Sequence, residues 1–254
     1  MTPLSVVVIT FNEEQNIGRC LESVREVADE IIVLDSHSTD NTVTIARNLG
    51  AKVTLSPFAG YIEQKNAALA LASNDYVLSL DADEALDPIL VKSIQAEKNN
   101  LQHTAYKMNR CTWYCGRFIR HGSWYPDRKI RLFNRKQAQW GGINPHDKVE
   151  LKDPAAVGYL KGDILHYSYH SLEDHIRQNN RFSTIAAEAY YKKGKRAKSW
   201  HLWIKPCWAF MDSYIFKGGF RDGFFGLVIA KNIAHLTFMK YYKLRAIEKG
   251  LPVS

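Results

Sequence analysis

The two aromatic-rich segments of the C-terminal third, Trp200 to Phe220 and Phe224 to Lys249, lack the apolar run of about 18 residues that a membrane-spanning helix requires. Lys205, Asp212, Lys217, Lys231 and His235 interrupt them. Met1 to Thr10 has neither a basic leading region nor a small-residue cleavage site, so no export signal is expected and the protein is placed in the cytoplasm. Cysteine is scarce. Cys20, Cys111, Cys115 and Cys207 in an unexported chain imply reduced thiols. Cys111 and Cys115 resemble half of a zinc site, but no second Cys/His pair stands at metal spacing. The chain shows no internal repeat, no low-complexity linker, and no zinc finger, RNP motif or helix-turn-helix, so nucleic acid is not expected as a partner.

With 254 residues, 46% of them hydrophobic, the chain can bury one large core or a core with an appendage. Its net charge of +8 is uneven. Ser171 to Ser254 holds 15 Lys/Arg against 6 Asp/Glu, which leaves Met1 to His170 near neutrality at −1. A basic tail suits an anionic membrane or an anionic substrate.

The first hundred residues alternate between two rhythms. Leu4 to Thr10 (LSVVVIT) is a β-branched run too short for a helix and too apolar for an exposed edge, hence a buried parallel strand. Asn12 to Val27 places Ile17, Leu21, Val24 and Val27 at helical spacing. Glu30 to Leu34, Lys52 to Leu55 and Asp75 to Leu80 predict further strands, with helices over Asp40 to Leu49 and Tyr61 to Ala72. Such alternation implies an α/β fold, a parallel sheet with helices on both faces. Beyond Asn100 strands are expected at Ala105 to Asn109 and Lys129 to Phe133, and a helix at Ser171 to Tyr191, followed by a basic turn, KKGKRAK.

Ligands of such sheets bind beyond the carboxyl ends of the strands, and polar residues gather there. The first strand delivers Thr10, Asn12 and Glu13, the second Asp35, and the fourth Asp81 and Asp83 in DADE. Asn12 and Asp40 are also natural helix caps. Asp81 and Asp83 repel one another unless a cation or donor neutralises them, and a divalent cation held by few carboxylates can still coordinate a diphosphate. Asp35 is placed to accept from a base or ribose hydroxyl. Lys65 is placed to contact base or phosphate, or to sit on the surface. Arg128 and Arg131 are expected to share one strand face, either binding a phosphate or facing solvent. His166 is either a metal contact or structural.

The succession VVVITFNEE, LDSHSTDNT, YIEQKNAAL and YVLSLDADE resembles family 2 inverting glycosyltransferases of the GT-A fold. The later WYPDRKIRLFNR, GGINPHDKV and FKGGFRDGFFG are similar to a subgroup that includes lipopolysaccharide-core β-glucosyltransferases. The resemblance implies a GT-A domain over residues 1–170, with a nucleotide-sugar half over 1–103 and an acceptor half over 104–170, and a helical, basic-aromatic extension over 171–254. It implies a donor pocket of Thr10, Asn12, Glu13, Asp35, Lys65 and Asp81, with Asp83 as principal ligand of Mg²⁺ or Mn²⁺, seconded by Asp81. Inversion requires a general base. The subgroup carries it as a Glu after a His, where this chain has His146-Asp147. Asp147 is the candidate and Asp127 the rival.

The expected reaction is transfer of a hexose, glucose from UDP-glucose, to a lipopolysaccharide-core or other envelope glycan. The basic-aromatic tail is expected to rest peripherally on the cytoplasmic face of the inner membrane, where lipid-linked acceptors lie, or to pack as a lid. Two other classes compete. A nucleotidyltransferase for sugar phosphates would carry a Gly-rich basic loop where this chain reads TFNEEQN. A non-catalytic scaffold would have no need of both DAD aspartates and a base.

Overall fold

A computed structural model describes residues 1–143, 146–153 and 157–253; Asn144 and Pro145 of the GGINPHDKV stretch lie outside the described residues. The chain divides into two compact units, Met1–Arg110 with Asp127–Tyr167, and Cys111–Pro126 with Ser168–Ser254. The expected extension over 171–254 thus shares its unit with Cys111–Pro126, a stretch expected in the acceptor half.

In the first unit, β1 (Leu4–Thr10), β2 (Glu30–Asp35), β3 (Lys52–Leu55) and β4 (Tyr76–Asp81) alternate with α1 (Ile17–Val24), α2 (Thr42–Asn48) and α3 (Tyr61–Leu71). These four strands are mutually parallel in the order β3-β2-β1-β4. The chain continues through β5 (Glu84–Leu86), α4 (Pro88–Lys98), β6 (Ala105–Tyr114), β7 (Arg117–Phe118), β8 (Asp127–Asn134), β9 (Ala138–Ile143), β10 (His146–Leu151) and β11 (Val157–Tyr169). The sheet extends past β4 as β8-β6-β11-β5, with β8 antiparallel to β4. It turns from parallel to antiparallel beside the strand that ends in Asp81.

Alternation along β1 shows why the apolar run is continuous. Leu4, Val6 and Val8 enter one core with Ile17, Leu21 and Val24 of α1 and Leu90 and Ile94 of α4, whereas Val7 enters another with Ala68 and Leu69 of α3 and Trp140 of β9. Both faces are buried, which favours apolar residues at nearly every position; the exception within the run, Ser5, is fully buried and donates its hydroxyl to Glu30 Oε2 at 2.7 Å. The second face is closed partly by the β9-β10 ribbon, whose strands, among the described residues, pair with each other in a separate two-stranded sheet.

The second unit is led by α5 (Leu172–Lys192), α6 (Ile204–Met211) and α7 (Gly223–Glu248). Ser171 and Asp174 form a reciprocal capping box at the start of α5, the arrangement that satisfies the free N–H groups of a first turn. α7 packs on α5 and α6, and the buried ammonium of Lys243 bonds four acceptors on α5: Asn180 O at 2.8 Å, Asn180 Oδ1 at 2.7 Å, Ser183 Oγ at 2.9 Å and Thr184 Oγ1 at 2.7 Å. The FKGGFRDGFFG stretch is glycine-rich for a steric reason. A Cβ on Gly226 would stand 1.8 Å from the carbonyl oxygen of Gly219.

Tyr114, Ile119 and Ile229 form the unit's small core. His175, 1% exposed, lies edge-on to Tyr114 with its Nδ1 3.0 Å from the phenol oxygen. Burial pushes the His175 imidazole down from 6.5 to about 4 and the Tyr114 phenol up to about 12. Between those two imidazole values the unfolded chain binds a proton that the folded one refuses, so stability must fall as the pH drops from 6.5 towards 4. The full effect is about 3 kcal/mol. Urea unfolding at stepped pH is expected to show this loss in the native chain and a visibly flatter slope in His175→Phe; equal slopes would contradict a neutral buried imidazole.

Candidate functional site

A cleft of about 540 Å³ opens beyond the carboxyl ends of β1, β2 and β4. Thr10, Glu13, Asp81 and Asp83 line it, joined by His166 from β11 and by Ser36, Phe58, Tyr61 and Gln64. Five sequence-derived candidates, these first four and His166, therefore converge on one cavity. Asn12, Asp35, Lys65 and Asp147 are not among its lining residues.

Asn12 and Asp35 brace the loops that follow β1 and β2. Asn12 takes a left-handed backbone conformation, φ 53°, which Asn tolerates better than most residues. Its N–H donates to Ser38 Oγ and its Oδ1 accepts from Thr39 N–H, both at 2.8 Å. Asp35, expected to face a base or ribose, is fully buried and accepts from the N–H and hydroxyl of Ser38. The two residues fix the loop after β2 against the loop after β1. Asp40, one residue before the N-cap Asn41, accepts from the N–H of Thr42, the first residue of α2, at 3.0 Å.

Lys65 corrects the surface alternative. Its side chain is 4% exposed, with Nζ 3.0 Å from Asp81 Oδ1 and 2.7 Å from Asp147 Oδ2, and 4.4 Å above the Trp140 ring. A buried ammonium is tolerated only when paired in this way. Its neighbours do related work. Gln64 donates to Ser36 Oγ at 3.1 Å. Asn66 exchanges two bonds with the backbone of Trp140, at 2.9 and 3.0 Å, pinning the β9-β10 ribbon to α3. That clamp delivers Asp147, opposite Gly142 in the ribbon, to Lys65.

Arg131 and Arg128 do not share a face. Pairing of β6 with β8 slips at Tyr106/Lys107, so that Ile130 and Leu132 oppose them and Arg131 is the extra residue. Bulges of this kind re-aim side chains. Arg131 is buried and bonds Glu84 Oε1 at 2.7 Å and Asp81 Oδ2 at 3.2 Å, whereas Arg128 is exposed beside Tyr159. Arg110 continues the chain of charges, 3.7 Å from Glu84 and 2.8 Å from Asp127. Asp127, the rival base, is also met by Lys129 at 3.1 Å. Carboxylates and cations thus alternate from Asp147 through Lys65, Asp81, Arg131, Glu84 and Arg110 to Asp127.

Burial acts to raise the Asp81 pKa, but the charges of Lys65 and Arg131 overcome it and hold the carboxyl ionised well below the usual carboxylate range. For Arg131 burial pulls the other way and the carboxylates of Glu84 and Asp81 win, fixing the guanidinium as a cation. The Cys20 thiol beneath the site is pushed up by burial and then by Glu84, Asp83 and Asp81, which keeps it an unreactive thiol.

Asp83 stands apart from this network. Its Oδ2 lies 3.1 Å from His166 Nε2, and both side chains are partly exposed to the cleft. Carboxylate oxygen and imidazole nitrogen are suitable donors for Mn²⁺, and the carboxylate for Mg²⁺. Among the described residues no three His, Cys, Asp or Glu side chains form a ready cage. That is compatible with an ion completed by substrate phosphates. Two buried polar atoms of the cleft residues, Thr10 Oγ1 and Asp81 Oδ1, have no hydrogen-bond partner among the described residues; Asp81 Oδ1 faces the Lys65 ammonium outside hydrogen-bonding geometry. Such atoms are what a ligand's donors would satisfy. Asp81, already neutralised by two cations, is the poorer metal ligand of the pair.

The sequence did not single out Glu84, nor the exposed edge-to-face pair Phe58–Tyr61 at 5.1 Å on the cleft wall. An aromatic pair bracketing the start of α3 was the available signal.

Comparison with known proteins agrees with this geometry. The family described as Glycosyl transferase family 2 matches residues 5–150. An uncharacterised glycosyltransferase of Rickettsia typhi is 35% identical over 257 residues, covering 97% of this chain and 88% of that protein. The lipopolysaccharide core biosynthesis glycosyltransferase LpsC of Rhizobium meliloti is 27% identical, covering 97% of this chain and 94% of that one. Among solved structures, glucosyl-3-phosphoglycerate synthase from Mycobacterium tuberculosis in complex with Mn²⁺, UDP and glucosyl-3-phosphoglycerate is 28% identical over 44% of each chain, with a TM-score of 0.37, too partial a likeness to carry an inference. With an α/β sheet that sets its polar cleft at the carboxyl ends of β1, β2 and β4, and with a family match across more than half its length, this chain belongs to glycosyl transferase family 2.

Proposed function

We propose that this glycosyltransferase moves a hexose, glucose from UDP-glucose, to a lipopolysaccharide-core or related envelope glycan with inversion at the anomeric carbon. The observation that carries the donor half is the division of labour in the DAD triplet: Asp81 is locked between two cations while Asp83, beside His166, faces the cleft. Asp83 and His166 would hold a divalent cation, which supplies the charge that neutralises the departing diphosphate. Thr10 Oγ1 offers the donor an unused hydrogen-bonding group, and Phe58 with Tyr61 offers a planar base an aromatic wall. The acceptor is proposed from the whole-length similarity to LpsC. A lipid-linked acceptor would place the enzyme on the cytoplasmic face of the inner membrane.

Asp147 serves as the general base. Asp147 Oδ2 is engaged by the Lys65 ammonium at 2.7 Å, so Asp147 is released to an acceptor hydroxyl when Lys65 finds another anion. The donor diphosphate is such an anion, and the order donor before acceptor follows. Asp127 is the poorer choice, since Arg110 and Lys129 both hold it.

Native protein with UDP-glucose at about a hundred times its Kd, in the presence of Mn²⁺, should gain about 2.7 kcal/mol of stability, and the melting temperature should rise accordingly. GDP- and dTDP-glucose should give smaller shifts, and Asp83→Asn should lose the Mn²⁺-dependent part. An undiminished shift in that variant would remove Asp83 from the metal site. In Asp147→Asn the donor-induced shift should persist while hexose transfer, followed by UDP release, drops by about a hundredfold or more. Transfer that survives there and fails in Asp127→Asn would reverse the assignment of the base.

A further inference from the structure

We infer that the segment from Trp200 to Phe224 in the second unit is a docking surface for an anionic lipid bilayer, with α6 lying in the plane of the interface. The observation is a helix that packs on α7 yet has no fully buried residue. α6 reads IKPCWAFM, and none of its eight residues is buried. Trp203, just before it, is 73% exposed, and Ile204 and Trp208 are 58% and 60% exposed. The patch continues beyond the helix. Trp208 meets Phe216 with ring centroids 5.7 Å apart, and Phe216, Phe220 and Phe224 are themselves exposed.

Isolated apolar side chains on a surface are ordinary, but a contiguous cluster of aromatics marks an interaction site. Tryptophan at such density suits the headgroup level of a bilayer, where one edge of the ring is wet and the rest is not. The element is the wrong size to cross. Eight residues of helix extend about 12 Å against an apolar layer of about 30 Å, and no helix among the described residues is long and apolar enough to span a membrane.

Charge selects the partner. The second unit carries 17 Lys/Arg against 6 Asp/Glu, and cations sit within the patch itself: Lys205 lies 5.7 Å from the Trp200 ring and Arg221 5.9 Å from the Phe220 ring. Basic side chains beside inserted aromatics match anionic headgroups. A second copy of the chain would bring two such strongly basic units together, which repels. The inference rests on the proposed membrane-held acceptor only for its biological purpose, since the surface itself is read from exposure and charge.

The test is flotation of the full chain with phosphatidylcholine vesicles, with and without a one-quarter share of phosphatidylglycerol. The native protein should partition about tenfold more strongly onto the anionic vesicles and lose that preference in high salt. The triple variant Trp203→Ser, Trp208→Ser, Phe216→Ser should lose about tenfold in binding while keeping its melting temperature and its donor-induced shift. Lys205→Gln with Lys217→Gln should lose chiefly the preference for anionic lipid. The inference is overturned if the native chain fails to float or if the triple variant floats equally well. It is also overturned if the native chain is a dimer that the triple variant splits while neither binds vesicles. Loss of the donor shift with flotation intact would count against the donor site alone.

Discussion

An ammonium ion almost cut off from water organises this site. Lys65 lies on α3, yet its Nζ touches carboxylates from β4 and β10, and a charge buried to that degree is stable only while both partners remain. Asp81 therefore stays ionised, Asp147 is drawn to the cleft side of the sheet, and the β9-β10 ribbon is fixed over α3 by the adjacent Asn66–Trp140 clamp. Three consecutive residues, Gln64, Lys65 and Asn66, each tie the helix to a different element. The helix serves as a hub more than as a covering layer.

From that constraint the separate fates of two similar aspartates follow. Asp81 and Asp83 are two residues apart, but the first faces Lys65 and Arg131 and the second faces His166. Neutralised carboxylates are poor metal ligands, and less encumbered ones are good ligands. The same sharing ties Asp147, the proposed base, to the residue that holds Asp81. Asp147 and Asp81 hold one cation between them, so any anion that engages Lys65 changes both.

The parallel half of the fold was legible because β1, β2 and β4 are buried on both faces and most of their residues are apolar. The DADE carboxylates were legible because unpaired acids after such a strand need an explanation. What escaped was non-local. Lys65 and Asp147 are 82 residues apart, and nothing in YIEQKNAAL announces a partner in another strand. Arg131 was misplaced because residues three apart in a strand belong to opposite faces, and no local sequence signal marks the bulge on β8 that makes Arg131 the extra residue. His166 could be named but not located, since β11 went unrecognised: it is buried at alternating positions only in its first half. The second unit assembles from two distant segments, which composition cannot foresee.

The most direct test of the Lys65 bridge is a double-mutant cycle, Lys65→Met with Asp147→Asn, on stability measured by urea unfolding without donor. A coupling free energy above about 1 kcal/mol is predicted, because each residue is the other's buried partner. Additive effects of the two substitutions would show that the ammonium does not join the donor side of the cleft to its base.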